Sequence, residues 1–275
     1  MNDNFNSVCS RYNAISNSDE RFIFVYDTAK EYLNTIKPTE VKDVDKYFYA
    51  ETKKYATLKD IYERFIFSAQ NYWCMPNVIQ FEKHKKEIAP ILDGFDYKKI
   101  STKDPKCLSE LLRNKFNNGK ENALWDRWCR SVVDSAKYIC GFKDSAAFEQ
   151  EIHKYACDIN QSIKLANSIA KEIYGMGFAL ICDVLKELGF TDYSKPDIHL
   201  IEVFSSIGLS KKTEKATFKA VAKMADLCRS IDKDVTPYKV DKIFWLICSG
   251  KFYLETPLVK ITGHKQEFIE LFLEG

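Results

Sequence analysis

The sequence predicts a predominantly α-helical protein. Only ten glycines occur in 275 residues. Apolar residues recur at helical spacing through most of the chain. Several of these runs begin at a capping residue or stop before a proline, as helices do.

Taken in order, residues 1–17 are rich in Asn and Ser and are expected to be loose. Phe22, Val25, Ala29, Leu33 and Ile36 follow as a helical stripe that Pro38 stops. Thr57 is a cap for a helix carrying Leu58, Ile61, Tyr62, Phe65 and Ala69, which ends in "FIFSAQN" before Pro76. A further helix is expected from about Asn77 to Leu92, a loop at "NNGKEN" (Asn117 to Asn122), and helices over 124–140 and 146–157. Ile159, Ile163, Ala166, Ala170 and Ile173 form the next stripe. Phe178, Ile181, Cys182, Leu185 and Leu188 form another, and Leu200, Val203, Phe204 and Ile207 a third. Near the end, Thr236-Pro237 opens a helix holding Val240, Ile243, Phe244 and Ile247, and Gly250 closes it.

Composition narrows the class. The length allows one large domain or two modest ones. At 45% hydrophobic and 29% charged the chain reads as soluble and globular. Its apolar runs are too short to span a bilayer. The N-terminus lacks the basic-then-apolar form of a signal peptide, so an intracellular location is expected. Nine cysteines, an odd number without C-x-x-C spacing, suggest neither a disulfide framework nor a zinc ribbon. The net charge is only +2, but Lys211, Lys212, Lys215, Lys219 and Lys223 cluster against a single acid, Glu214. A solvated helix face and a nucleic-acid track both fit that run.

One stretch is more specific: "YGMGFALICDVLKELGFTDYSKPDIHL", from Tyr174 to Leu200. Gly175-Met176-Gly177 joins two amphipathic runs in a tight hairpin. Such a turn lets another molecule approach the backbone, and it opens a helix whose first N–H groups suit a phosphate. It is equally a glycine cap followed by a close helix crossing. No G-K-[ST] follows, so it is not a P-loop, and no third glycine makes it a dinucleotide fingerprint. Asp197 falls at the head of the next run, where aspartate is a favoured N-cap whose charge the helix dipole stabilises. A structural cap and a catalytic carboxylate both fit that position.

Together these features resemble the helix-hairpin-helix and Gly/Pro-Asp signature of the DNA glycosylase superfamily that includes endonuclease III. The residues that carry the likeness are "GMG" at Gly175 to Gly177, "PDIHLIEVFSSIGL" at Pro196 to Leu209, and "FSAQN" at Phe67 to Asn71. It covers residues 57–80 and 159–209. The resemblance implies an all-α fold of two lobes with the DNA cleft between them. One lobe would be residues 57–197, carrying the helix-hairpin-helix over about 159–189. The other would be residues 18–56 with 198–275.

The resemblance also implies roles. Gly175, Met176, Gly177 and Phe178 would grip the phosphate backbone of double-stranded DNA. Asp197 would stabilise the positive charge that builds on the sugar as the N-glycosidic bond breaks, and orient the attacking water. Gln70 falls where the family fills the gap left by the flipped base. His199 would contact a phosphate, and Lys211, Lys212 and Lys215 would lie along the backbone track. Trp245, Phe244, Trp125 and Trp128 are candidate stacking surfaces for the base, and Asp241 a candidate reader of its edge.

Departures from the family refine the expectation. The lysine that forms a Schiff base in strand-cutting members is replaced by Ala179, and a small family residue by Ile181. After Asp197 only Cys228 and Cys248 remain, too few for the family's iron–sulfur centre. The expectation is therefore a monofunctional, water-using glycosylase, acting as a monomer without an iron–sulfur cluster. A monovalent cation held by hairpin carbonyls is consistent with the family. Two rival readings stay open: a non-catalytic DNA-binding protein that keeps the hairpin, and a helical interaction module without a DNA role.

Overall fold

A computed structural model describes residues 7–50, 55–156 and 158–273. Among them are fifteen α-helices and a single two-stranded β-hairpin, so the predicted helical class holds. None of the helices is long and apolar enough to cross a membrane. The chain divides into two compact units: residues 52–189, and residues 1–51 with 190–275. The boundary expected at Asp197 thus falls back to Gly189. Past it, Tyr193 is buried with its ring 5.9 Å from that of Phe218, and the Thr191 carbonyl accepts from Tyr238 N at 3.0 Å. These contacts commit the approach to Asp197 to the second unit.

The unit of residues 52–189 holds nine of the helices. They are α3 (Leu58–Ala69), α4 (Met75–Ile79), α5 (Phe81–Ile88), α6 (Tyr97–Ile100), α7 (Pro105–Phe116), α8 (Ala123–Cys140), α9 (Ser145–His153), α10 (Ile159–Glu172) and α11 (Phe178–Glu187). Helix α3 starts at the expected Thr57, which forms a capping box with Asp60. Helices α3, α4, α6 and α7 pack on α8, whose Trp125, Trp128, Val132 and Ile139 are buried. The Trp128 ring lies 5.9 Å from Phe81, and its Nε1 donates to the Ile66 carbonyl at 3.1 Å.

The single helix expected over residues 77–92 is two, because Gln80 turns left-handed at φ 47° between α4 and α5. The side chain of Gln70 makes that break tolerable. Its Oε1 accepts from Phe81 N at 3.0 Å and so satisfies a donor that the broken helix would leave bare. The buried face of α10 is also rotated from the predicted stripe. Ser162, Leu165, Ala166 and Ile169 are buried, whereas Ile163 and Ala170 are half-buried.

The unit of residues 1–51 with 190–275 contains α1 (Val8–Ala14), α2 (Ser18–Ile36), α12 (Ile198–Ser206), α13 (Glu214–Cys228), α14 (Pro237–Ser249) and α15 (Lys265–Glu270). Strands β1 (Lys251–Phe252) and β2 (Val259–Lys260) pair antiparallel after α14, with Lys251 opposite Lys260. Its core is aromatic: Phe204 lies 5.0 Å from Phe244, and Phe268 5.8 Å from Phe244 and 5.2 Å from Phe272.

The N-terminal stretch corrects an expectation. Residues 1–6 lie outside the described residues, but 8–14 are helical and not loose. Val8 and Tyr12 are buried in this core, and Tyr12 Oη donates to the Ile207 carbonyl at 2.6 Å. Asn17 then caps α2 through Asp19 N at 2.9 Å. Two long-range apolar anchors and a buried hydrogen bond order a segment whose composition reads as coil.

Candidate functional site

The hairpin is built against α8. Helix α10 ends at Glu172, Ile173 is extended, and Gly175 takes φ 80°. A Cβ at Gly175 would fall 2.8 Å from Ser131 Oγ and 3.3 Å from the Arg127 side chain. Only glycine combines that dihedral with that proximity. Gly177 differs: it is extended at φ −74°, and a Cβ there would meet nothing within 4 Å.

Residues one turn apart on α8 hold the turn from below. Ser131 Oγ donates to the Tyr174 carbonyl at 2.7 Å, and Arg127 Nη2 to the Gly175 carbonyl at 3.0 Å. Asp134 accepts from Tyr174 N at 3.3 Å. Met176, expected at the DNA surface, is 1% exposed, and Ser135 Oγ donates to its sulfur at 3.9 Å. Its side chain is therefore a peg into the unit. Phe178 is buried as well, so only backbone there can face a ligand.

Helix α11 opens without a side-chain cap. The Gly177 carbonyl accepts from Leu180 N at 3.0 Å and Ile181 N at 3.1 Å. No acceptor among the described residues meets the N–H of Gly177 or Ala179. Exposed donors at the positive end of a helix favour an anion.

Two arginines flank the turn, opposite in sign to the Asp134 carboxylate on Tyr174 N. The Arg127 guanidinium lies 3.9 Å over the Tyr72 ring, and that of Arg130 lies 3.8 Å over the Tyr174 ring. Neither arginine is paired with a carboxylate among the described residues, and Arg127 Nε is buried without a hydrogen-bond acceptor. Tyr72 and Tyr174 are both exposed. Sequence reasoning missed all four. Their signal was available only as Tyr72 trailing the "FSAQN" segment and Tyr174 heading the hairpin, since the arginines come from a helix distant in sequence.

Two of the three segments that carry the likeness meet in this unit. Ser68 Oγ and Asn71 Nδ2, from "FSAQN", donate to Asp183 on α11 at 2.9 and 3.1 Å. Arg64 approaches the same oxygen at 3.6 Å. This buried network ties the end of α3 to the helix that leaves the hairpin.

Asp197 belongs to the other unit. It caps α12 as expected: its Oδ1 accepts from His199 N at 2.9 Å and Leu200 N at 3.3 Å. Its Oδ2 has no hydrogen-bond donor among the described residues. One oxygen therefore serves the helix and the other is open. Asp241, a candidate base reader, is 1% exposed and accepts from Lys195 N. It fixes the backbone two residues before Asp197 and is a positioning group. His199 is half-buried, with Nδ1 enclosed and unpartnered, which leaves Nε2 as the nitrogen that can meet an anion. Lys211, Lys212 and Lys215 are exposed.

Other expected residues are elsewhere. Trp125 and Trp128 are 1% and 0% exposed and form the core of α8, stacked on Phe116 and tilted against Phe81 respectively, so neither can receive a base. Trp245 is half-buried, with its ring 5.7 Å from Tyr253. Gln70 is 5% exposed and its carbonyl is taken by Phe81 N, so it cannot fill a gap in DNA.

Among the described residues no cluster of His, Cys, Asp or Glu could hold a metal ion. At the hairpin, hydrogen-bond donors compete with a monovalent cation for the carbonyls. The carbonyls of Ile173, Tyr174 and Gly175 already accept from Met176 N, Ser131 Oγ and Arg127 Nη2, and the last brings a positive charge to the spot. No family model matches the chain, and no curated protein or solved structure matches it.

Proposed function

We propose that the protein is a monofunctional DNA glycosylase of the helix-hairpin-helix kind. It binds double-stranded DNA, turns a modified or mismatched base out of the duplex and hydrolyses the N-glycosidic bond with Asp197. The observation that supports this best is the hairpin surface. Among the described residues, donors at Gly177 and Ala179 lack acceptors, and Arg127 and Arg130, which lie against Tyr174 and Gly175 of the same turn, pair with no carboxylate. Fixed cationic groups with open backbone N–H suit a phosphate chain.

The chemistry asks for one carboxylate. Departure of the base leaves positive charge on the sugar, which the open Oδ2 of Asp197 would stabilise. The same oxygen would accept a proton from the attacking water. Oδ1 stays on the N–H groups of α12, so the carboxylate is held in one orientation while it acts. Flipping costs least for a base that pairs badly, which selects damaged or mismatched positions.

A second reading, a DNA-binding protein without chemistry, draws support from the residues beyond the hairpin. Ala179 cannot form an imine, and Ile181 is fully buried where the family has a small residue.

Single-turnover base release from a panel of lesion-bearing duplexes separates the two. Wild type should release a base, and strands should break only after alkali. Asp197→Asn should bind DNA and keep its stability, because Asn caps a helix about as well as Asp, yet release none. Borohydride should trap no protein–DNA adduct. Full activity in Asp197→Asn removes the catalytic assignment, and binding without release from any duplex favours the second reading.

A further inference from the structure

Trp73 is absent from both the core and the chemistry proposed above. It is 84% exposed, more than any other large apolar side chain among the described residues. Its backbone is left-handed at φ 45°, a conformation that bulky residues avoid. The loop around it is nonetheless tied down. On one side Asn71 donates to Asp183 at 3.1 Å. On the other, Met75 is fully buried and its N–H donates to the Tyr72 carbonyl at 2.9 Å. An anchored loop therefore holds an indole in water at the cost of apolar burial and a strained dihedral.

Its surroundings are of one chemical kind. Tyr72, the preceding residue, lies under the Arg127 guanidinium at 3.9 Å, and that guanidinium lies 5.7 Å over Tyr174. Arg130 covers Tyr174 at 3.8 Å. Exposed aromatic faces interleaved with un-neutralised arginines match a ligand that alternates flat rings with negative charge. Nucleic acid is that ligand, and aromatic stacking of bases beside a cationic track is its usual mode of capture.

We propose that Trp73 stacks on a nucleobase of the DNA held at the hairpin, and that it selects DNA with an unpaired or displaced base. Inside a continuous duplex both faces of every base are covered by neighbours. An indole gains a face only where that stack is interrupted, by a bulge, a gap or a base turned out. The inference rests on the DNA-binding reading above and adds to it the residue that senses the interruption. Arg127 and Arg130 would hold the flanking phosphates while the indole reads the open face.

Acrylamide quenching of tryptophan fluorescence in the full chain tests it. Trp125 and Trp128 are enclosed and Trp245 is half-buried, so Trp73 is the most accessible of the four tryptophans, and Trp73→Phe separates its share of the signal from that of Trp245. Three probes are compared: a continuous duplex, the same duplex with one unpaired adenine, and the single strand. Binding should shield Trp73 from acrylamide, most strongly with the unpaired adenine present. Trp73→Ala should fold normally and lose roughly tenfold in affinity for the interrupted duplex, but little for the continuous one, on the scale of one lost base stack. Trp73→Phe should keep part of the preference. Binding that leaves Trp73 fully quenchable, or a Trp73→Ala variant with the wild-type preference, overturns the stacking role and leaves the DNA reading standing. Failure of the folded wild type to bind any of the three overturns both.

Discussion

Two clusters of positive charge, one in each unit, are held in opposite ways. In residues 1–51 with 190–275, cations converge on one acid. Lys30, Lys239 and the Tyr26 hydroxyl all meet Asp232, at 3.0, 2.8 and 2.7 Å. Burial opposes the Asp232 charge, and the donors Lys239, Tyr26 and Lys30 more than offset it, so the carboxyl is held well below the usual range. In residues 52–189, Arg127 and Arg130 lean on tyrosine rings instead. A ring orients a guanidinium without neutralising it. The difference teaches how burial sets the requirement: a buried lysine must be matched inside the fold, whereas a stacked, accessible arginine can stay without a carboxylate.

The largest expected effect breaks the first arrangement. Asp232→Asn leaves the buried Lys239 without its counter-charge and should cost about 3 kcal/mol of stability, measured by urea unfolding. The acid limb should change with it. Because the folded carboxyl titrates below its unfolded value of about 3.9, its contribution is complete above that pH and is lost as pH falls toward the folded value. Stability of the wild type should therefore drop between about pH 5 and pH 2, and the Asp232→Asn profile should be flatter there. Arg130→Ala should leave both stability and acid limb nearly unchanged and weaken DNA binding. A stability loss as large as that of Asp232→Asn would mean that Arg130 is structural too.

How much of this was legible in the sequence follows from range. The caps at Thr57, Asp197 and Thr236 and the turn at Gly175 are local, set by residues a few positions apart, and they stand where the pattern put them. Helix α7 was missed although Asp104-Pro105 opens it with the same kind of signal as Thr236-Pro237. The break at Gln80 depends on Gln70, and the hairpin depends on α8, so periodicity alone could not find either. Tryptophans show the limit most clearly. Trp125 and Trp128 repeat at helical spacing toward a core, whereas Trp73 stands between elements, and only packing reveals that the first two are enclosed and the last is bare.

A smaller effect separates the two hairpin glycines. Gly175→Ala places a side chain at φ 80° and drives its Cβ into Ser131 Oγ. It should cost about 1–2 kcal/mol from the dihedral alone, and more if Ser131 loses the Tyr174 carbonyl. Gly177→Ala, extended and facing open space, should change stability by less than about 0.5 kcal/mol. Gly177→Asp is equally tolerable to the fold but sets a negative charge beside the open N–H groups. It should weaken duplex binding by about 1–3 kcal/mol, the scale of a charge-assisted hydrogen bond. The loss should be alike for damaged and undamaged duplexes, because phosphate contacts position the protein without reading bases. If Gly177→Asp folds and binds like wild type, the hairpin is a helix crossing and nothing more.

The smallest effect asks whether the exposed lysines of the unit of residues 1–51 with 190–275 contact DNA. Lys211 and Lys212 are exposed just before α13, in the unit that holds the Asp232 cluster. Further along the run, Lys223 is already paired with Asp19 at 2.6 Å. A phosphate contact contributes nearly one unit to the slope of log affinity against log salt. Replacing Lys211 and Lys212 together by Gln should therefore flatten that slope by about two and leave folding untouched, since neither side chain is in the core. Arg130→Ala should flatten it by about one. Equal flattening per charge in both units would mean that DNA meets them both. An unchanged slope in the lysine variant would confine the grip to residues 52–189 and leave Lys211 and Lys212 as solvated surface, for which exposure alone is explanation enough.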